Sequence, residues 1–520
     1  MNLVTLLEER AREYPQRPAL IDSANGKDRI VTFGELSRRV AAGSETLRKM
    51  GLQRGNVVLV FQPVSIELYE ILLAAFHAGL RVMLADPSAG RSFLSLCCER
   101  LRPDAFFGSW KAQCLRLAVN DLRKIPLSIR SGGWFPGTEK WRTGGNGEAL
   151  TELPDEEPAL ITFTSGSTGV PKAAVRTHGF LLAQHRTLSH SLDFQAGEVD
   201  LITLPVFVLA NLASGLTSVL AATNLSKPGS PDIDAVKAQC ERHGVTRCAA
   251  SPAFFDAIQR SGKGLPSFRK VFTGGAPVFP DLLRRLRKDL PDAVIDSVYG
   301  STEAEPIAHF SANEADAETD SLTSAGGGLC SGSPVADISL RVMGDAWGQA
   351  LGPLDDVSFQ ALEVKRGQAG EIVVSGDHVL TGYLHGVGDT ETKIRVGGKV
   401  WHRTGDAGWL DEKGRIWLLG RCAEKLPAFP AKEGLPEDAL RYPFAIECAM
   451  RERFPGIRMA AIDWKGARTL VIEGAEIDGM RESAAAVGVK DLRYIPKIPL
   501  DRRHNAKIDY PALRAVLEGQ

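Results

Sequence analysis

Short β-rich runs recur along the chain at Val57 to Phe61, Leu160 to Phe163, Leu201 to Leu204, Lys270 to Phe272 and Val294 to Val298, separated by segments of helical periodicity. That alternation argues for an α/β architecture of layered sheets and helices. Apolar residues at Leu68, Ile71, Leu72 and Phe76 have the three-and-four spacing of a helix that buries one face against such a sheet. At 520 residues the chain exceeds what a single core serves, so a large body and at least one further domain are expected.

Lys plus Arg total 62 against 63 for Asp plus Glu, so no global basic field draws the chain to nucleic acid or to an anionic membrane. Any polyanionic ligand has to be met locally. The one adjacent cysteine pair, Cys97 and Cys98, lacks the C-x-x-C spacing of a zinc site. Scattered cysteines fit reduced thiols and a cytoplasmic location. The N-terminal segment interleaves charged with apolar residues and reads as an amphipathic helix rather than a signal peptide. The most apolar stretch, Ile66 to Pro87, is broken by Glu67, Glu70, His77 and Arg81, which excludes a transmembrane span.

Residues Gly144 to Glu157 read as a solvated connector, and a Gly/Ser-rich stretch, Ser324 to Pro334, lies between two patterned regions. Near Gly420 the pattern changes, and Leu426 to Tyr442 is Pro-rich and poorly periodic. A domain boundary there divides a large N-terminal domain, 1–420, from a small α+β C-terminal domain, 421–520.

The run Thr164-Ser165-Gly166-Ser167-Thr168-Gly169-Val170-Pro171-Lys172 directly follows an apolar strand. Its glycines let backbone N–H groups converge on an anion, its hydroxyls add donors, and Lys172 supplies charge, which is the chemistry a triphosphate requires. It is not the G-x-x-x-x-G-K-[ST] loop, because Lys172 does not directly follow the second glycine and precedes Ala173. The stretch from Thr162 to His178 resembles the signature loop of the acyl-adenylate-forming superfamily, which includes acyl-CoA synthetases, luciferases and adenylation domains of peptide synthetases. The resemblance extends from the N-terminal helix to Lys507, with Leu426 to Tyr442 out of pattern.

That resemblance implies ATP and Mg²⁺ as cofactors, a carboxylic acid as substrate and a mobile C-terminal domain. Gly274-Gly275-Ala276-Pro277 is similar to the segment lining the adenine pocket. Tyr299-Gly300-Ser301-Thr302-Glu303 matches the Y-G-x-T-E motif, in which the Tyr stacks on adenine, the Thr contacts the α-phosphate and the Glu holds Mg²⁺. Mg²⁺ prefers hard oxygen ligands and is usually held by one or two carboxylates plus phosphates, so Glu303 is the metal candidate. Asp406, in Trp401 to Asp406, resembles the Asp that accepts from both ribose hydroxyls, a role suited to an acceptor-only carboxylate. Arg421 matches a second ribose contact, and Ala423 occupies the expected pivot of domain rotation. Lys507 matches the lysine that bridges the acyl carboxylate and the α-phosphate, where a preorganised donor is worth a factor of ~10² to 10³ in rate.

The segment Leu204 to Leu212 aligns with one that lines the acyl pocket, which makes Phe207, Val208, Leu209 and Asn211 its candidate lining. No acidic residue there receives an ammonium group, so an alkyl chain suits it better than an amino acid. A buried strand followed by a helix explains the same run. This segment, Tyr299 to Ala308 and the tail Ile498 to Leu513 together resemble the bacterial β-lactone synthetases of the long-chain olefin pathway. That branch adenylates a 2-alkyl-3-hydroxy acid, whose own hydroxyl then displaces AMP, and the resemblance brings with it an association with other hydrocarbon-pathway enzymes. The alternatives are a medium- or long-chain acyl-CoA synthetase or carrier-protein ligase, and, in another class, a non-catalytic nucleotide-binding protein. The Lys-x-x-Gly loop usual beside a pantetheine tunnel is interrupted here by Lys425 to Pro430.

Overall fold

The computed structural model describes residues 1–24, 26–86, 89–164, 171–430, 432–500 and 507–519. It divides into two compact units, the first Met1–Leu225 with Asp232–Cys248 and Gly382–Asp389, the second Ser226–Pro231 with Ala249–Thr381 and Thr390–Gln520. Both are α/β, as the alternation of runs predicts.

The first unit holds a seven-stranded sheet in the order Glu139–Lys140, Leu127–Arg130, Ala105–Gly108, Val57–Phe61, Arg81–Leu84, Pro158–Thr164, Lys172–Thr177. All neighbours are parallel except the last pair. Central parallel strands are covered on both faces and so read as unbroken apolar runs. Val57–Phe61 is buried at all five positions. The helix Ile66–His77 is buried at nearly every position, which accounts for the most apolar stretch of the sequence. Its Glu70 is answered by the Arg39 guanidinium at 2.8 Å. No helix of the described residues is long and apolar enough to cross a membrane. All eight cysteines are free thiols.

A second group of strands in this unit includes Val199–Ile202, parallel to Thr217–Leu220. The expected strand at Leu201 to Leu204 begins and ends two residues earlier, because Val199 already pairs with Thr217 and the chain turns from Thr203 onward into the helix Phe207–Ser214.

In the second unit the order is Lys270–Gly274, Val294–Ser301, Ala304–Ser311, Leu329–Pro334, Ile416–Arg421, Lys399–Leu410, Gly370–Ser375, Ser339–Met343, antiparallel after the first pair. The Gly/Ser-rich stretch is therefore partly a strand. A Cβ on Gly332 would lie 1.8 Å from the His309 carbonyl oxygen, and its φ is +79°, so the close approach of these two strands requires glycine there. Near the C-terminus, Met459–Trp464, Ala467–Glu473 and Asp491–Ile495 form a three-stranded sheet packed on the helix Pro443–Arg453 through Ile446, Ala449, Met450, Ala461 and Leu470. Leu426 joins that core, so the Pro-rich segment is anchored where it begins.

His178 links this fold to pH. It is fully buried, and its Nδ1 accepts the Leu3 N–H at 3.2 Å. Burial lowers its pKa from 6.5 to about 4. Between those values the unfolded chain binds the proton and the folded chain does not, so this group's contribution to stability is lost as pH falls through the window. His178→Asn keeps an acceptor near Nδ1 without a titrating ring, and should lose less thermal stability than the wild type between pH 6.5 and 4. Parallel losses in a calorimetric pH series would refute the assignment.

Candidate active site

Within the first unit, the candidate phosphate loop joins two antiparallel strands. Pro158–Thr164 pairs with Lys172–Thr177, and Thr164 stands opposite Lys172 in register. Ser165, Gly166, Ser167, Thr168 and Gly169 lie outside the described residues. The apolar strand thus delivers Lys172 to the end of the sheet where the loop begins.

Residues Gly382–Asp389 frame Lys172. Its ammonium group lies 5.7 Å from the centroid of the Tyr383 ring, within cation–π range. A Cβ on Gly388 would come within 2.8 Å of Lys172 Cδ and Cε. The Tyr383 N–H donates to Asp389 Oδ1 at 2.8 Å, Tyr383 forms a β-bridge with Ala174, and Arg100 donates to the carbonyls of Pro171 and Leu384. Sequence reasoning did not reach Arg100, Tyr383 or Gly388. The glycine spacing around 382–388 signals a turn, but nothing local says that the turn returns to Lys172.

The acyl-pocket candidates lie on the helix Phe207–Ser214, where Phe207, Val208 and Asn211 are buried and Leu209 is partly exposed. Asn211 donates to Asp200 Oδ2 at 2.8 Å and to Ser218 Oγ at 3.2 Å. Burial pushes the Asp200 carboxyl up, against the opposing charge of Arg247 3.9 Å away. Arg247 also pairs with Glu198 at 2.7 Å.

Within the second unit, Gly274 ends its strand opposite Val298, whose carbonyl oxygen would lie 2.6 Å from a Cβ at Gly274. Gly275, at φ +76°, then turns the chain, exposed, into the partly buried Ala276 and Pro277. Tyr299, Gly300 and Ser301 close the neighbouring strand, and Ser301 pairs with Ala304, so Thr302 and Glu303 form the tip of a hairpin. The tip is fixed on both sides: the Glu303 N–H donates to Ser301 Oγ at 3.2 Å, and the Glu303 carbonyl accepts the Leu380 N–H at 2.7 Å.

Asp406 joins this hairpin to a second one. It pairs in register with Arg421, whose Nη1 lies 3.1 Å from Oδ1, while the Tyr299 hydroxyl donates to Oδ2 at 2.8 Å. Asp406 is 19% exposed and Arg421 50%, so the pair faces solvent on one side. Burial, then the adjacent carboxylate, pushes the Tyr299 phenol well above its usual range. Asp406, with Tyr299 and Glu303 behind it, raises the Arg421 pKa. Ala423 is exposed in a short 3-10 turn, Cys422–Glu424. Lys507, exposed, precedes Ile508, which bridges to Leu500. The structure therefore brings together Tyr299, Asp406 and Arg421, with Thr302 and Glu303 at the tip of the same hairpin.

Residues 7–384 match the family described as AMP-binding enzyme, and the chain belongs to that family. It is an adenylate-forming enzyme, an AMP-forming ligase that activates acids. Among its relatives, an olefin beta-lactone synthetase of Stenotrophomonas maltophilia is 32% identical, over 98% of this chain and 96% of that one. The 4-coumarate–CoA ligase 2 of Oryza sativa subsp. japonica is 27% identical over 80% of this chain and 74% of its own. In fold, the amide bond synthetase McbA from Marinactinospora thermotolerans superposes with a TM-score of 0.78 at 19% identity, covering 99% of each chain.

Gly388 offers a direct test of the Lys172 frame. Gly388→Ala should slow adenylate formation by about tenfold or more, the scale on which displaced reacting groups act. Gly90→Ala places an L residue at a comparable φ, +97° against +102° at Gly388, with nothing among the described residues within 4 Å of its Cβ, and should keep its activity. Equal effects in acid-dependent ATP–pyrophosphate exchange would show that strain alone is responsible.

Proposed function

We propose that the enzyme adenylates a long-chain 2-alkyl-3-hydroxy fatty acid and closes the adenylate to a β-lactone, releasing AMP. The similarity to an olefin beta-lactone synthetase, which covers 98% of the chain, carries this reading. In the first step a carboxylate oxygen attacks the α-phosphorus and the bond to the β-phosphate breaks, so pyrophosphate leaves. In the second, the 3-hydroxyl oxygen attacks the acyl carbon and loses its proton, and the acyl–oxygen bond to AMP breaks. Holding both groups in one molecule is worth up to ~7 to 11 kcal/mol in well-oriented cases, which offsets the strain of a four-membered ring.

On this reading Lys172 and the phosphate loop cradle the phosphates, and Thr302 meets the α-phosphate. Tyr299 and the Gly274 to Pro277 turn receive adenine. Asp406 and Arg421 hold the ribose, whose hydroxyls would share the partly buried carboxylate. Lys507 spans the reacting groups, carried by a 421–520 domain that pivots at Ala423. No cluster of three or more metal-ligating side chains occurs among the described residues, so Glu303 would hold Mg²⁺ jointly with phosphate oxygens, the arrangement this ion favours. Mg²⁺ supplies charge neutralisation at the phosphates. The helix Phe207–Ser214 offers Phe207, Val208 and Leu209 to an alkyl chain.

The similarity to a CoA ligase favours a second reading, transfer of the acyl group to CoA. Purified protein incubated with ATP, Mg²⁺ and a 2-alkyl-3-hydroxy fatty acid, without CoA, should yield β-lactone by NMR together with stoichiometric AMP. Turnover that appears only on CoA addition, with a thioester product, would replace the proposal by this second reading. Lys507→Ala should lower adenylate formation by at least ~10²-fold while ATP binding stays intact. Glu303→Gln should shift the Mg²⁺ titration to higher concentration, and an unchanged titration would place the metal elsewhere.

A further inference from the structure

The helix that follows Lys507 is secured by polar contacts that packing alone does not demand. Tyr510–Glu518 is capped by Asp509, whose Oδ1 accepts the Ala512 N–H at 3.0 Å. The Asp509 N–H in turn donates to the Pro499 carbonyl at 3.0 Å, beside the Leu500–Ile508 bridge. Lys507 therefore stands immediately before a fixed footing. The aromatic ring of Tyr510 packs with Ile508 on a core that includes Ile462, Ile498 and Leu513.

Its hydroxyl does something else. Tyr510 donates to Glu447 Oε1 at 3.0 Å, and the same oxygen accepts the Ala461 N–H at 2.9 Å. Glu447, on the helix Pro443–Arg453, is only 9% exposed, and burial pushes its carboxyl up to about 7. A carboxyl in such surroundings is costly to keep, and an apolar residue would fill the space without that cost. One turn beyond Tyr510, Arg514 pairs with Glu424, the residue after the candidate pivot Ala423. Glu424, Glu447, Tyr510 and Arg514 all lie C-terminal to Ala423, so rotation about that pivot carries them as a set and leaves these bonds intact.

We propose that the Glu447–Tyr510 hydrogen bond is a positioning device for Lys507, setting the helix Tyr510–Glu518 and, through Asp509 and Ile508, the point from which the lysine extends. The inference rests on the reading of Lys507 as the lysine of adenylation. Tyr510 and Glu447 are positioning residues, because neither touches the reacting groups.

The test is Tyr510→Phe in the full chain, which removes one hydroxyl and keeps the packed ring. The kcat for acid-dependent ATP–pyrophosphate exchange should fall about tenfold. The KM for ATP should stay within about twofold, and consumption of chemically synthesised acyl-adenylate should match the wild type, since Lys507 serves adenylate formation alone. A merely structural role would slow both half-reactions, and that result, or a wild-type kcat, would overturn the proposal. Lys507→Ala is assayed alongside. If that variant forms adenylate at the wild-type rate, the reading of Lys507 fails on its own account, whatever Tyr510→Phe does.

Discussion

One carboxylate organises the candidate residues of the second unit. Asp406 receives the Tyr299 hydroxyl on one oxygen and the Arg421 guanidinium on the other, joining strand ends that stand 107 residues apart in the case of Tyr299. Hydrogen bonds to ionised groups are about twice as strong as neutral ones, and two donors on different oxygens fix the carboxylate plane as well as its position. The half-exposed Arg421 adds less than its geometry suggests, because solvent screens it. The Asp406–Arg421 register compensates, since the backbone ladder already sets the pair opposite each other.

The same stretch of strand shows how a motif divides its labour. Arg403, three residues before Asp406, is fully buried and donates to both Glu371 oxygens and to the Gln349 carbonyl. Burial pushes the Glu371 carboxyl up, and Arg403 offsets only part of that shift. A buried pair of this kind is weak evidence for net stability, yet removing one partner typically costs ~3 to 5 kcal/mol because the other charge is stranded. Gly405 has its open side against Trp347, whose ring would lie 2.9 Å from a Cβ there. Arg403 and Gly405 thus seat the strand, and Asp406 is the residue left facing solvent.

Much of this was legible in the sequence where the signal was local. Val57 to Phe61 and Leu160 to Phe163 read as short β-rich runs, and both are strands in the fold. The Tyr299 to Glu303 motif is legible in the sequence, whereas the hairpin that carries Thr302 and Glu303 at its tip appears only in the fold. What stayed hidden depends on contacts between distant segments. Gly332 is forced by the carbonyl of His309, so part of the Gly/Ser-rich stretch from Ser324 to Pro334 becomes a strand. Tyr383 and Gly388 gain meaning only from Lys172, which no periodicity connects to them. Glu447 looks like an ordinary helix-surface acid until Tyr510 and Ala461 are seen on the same oxygen.

Asn211 resolves a tension that the sequence leaves open. A segment suited to an alkyl chain has no obvious use for an amide among Phe207, Val208 and Leu209. The fold turns that amide inward, where it donates to Asp200 and Ser218 beside the buried Arg247. There its Nδ2 donors are satisfied although Oδ1 is buried without a partner among the described residues, whereas the same amide against an alkyl chain would leave the donors unpaired as well. With the polar group committed to the interior, the side chains that remain on the first turn of the helix are apolar. Ionic and amide groups behind this helix and hydrocarbon on it are therefore two sides of one arrangement, in which Phe207 and Val208 are buried and Leu209 is partly exposed.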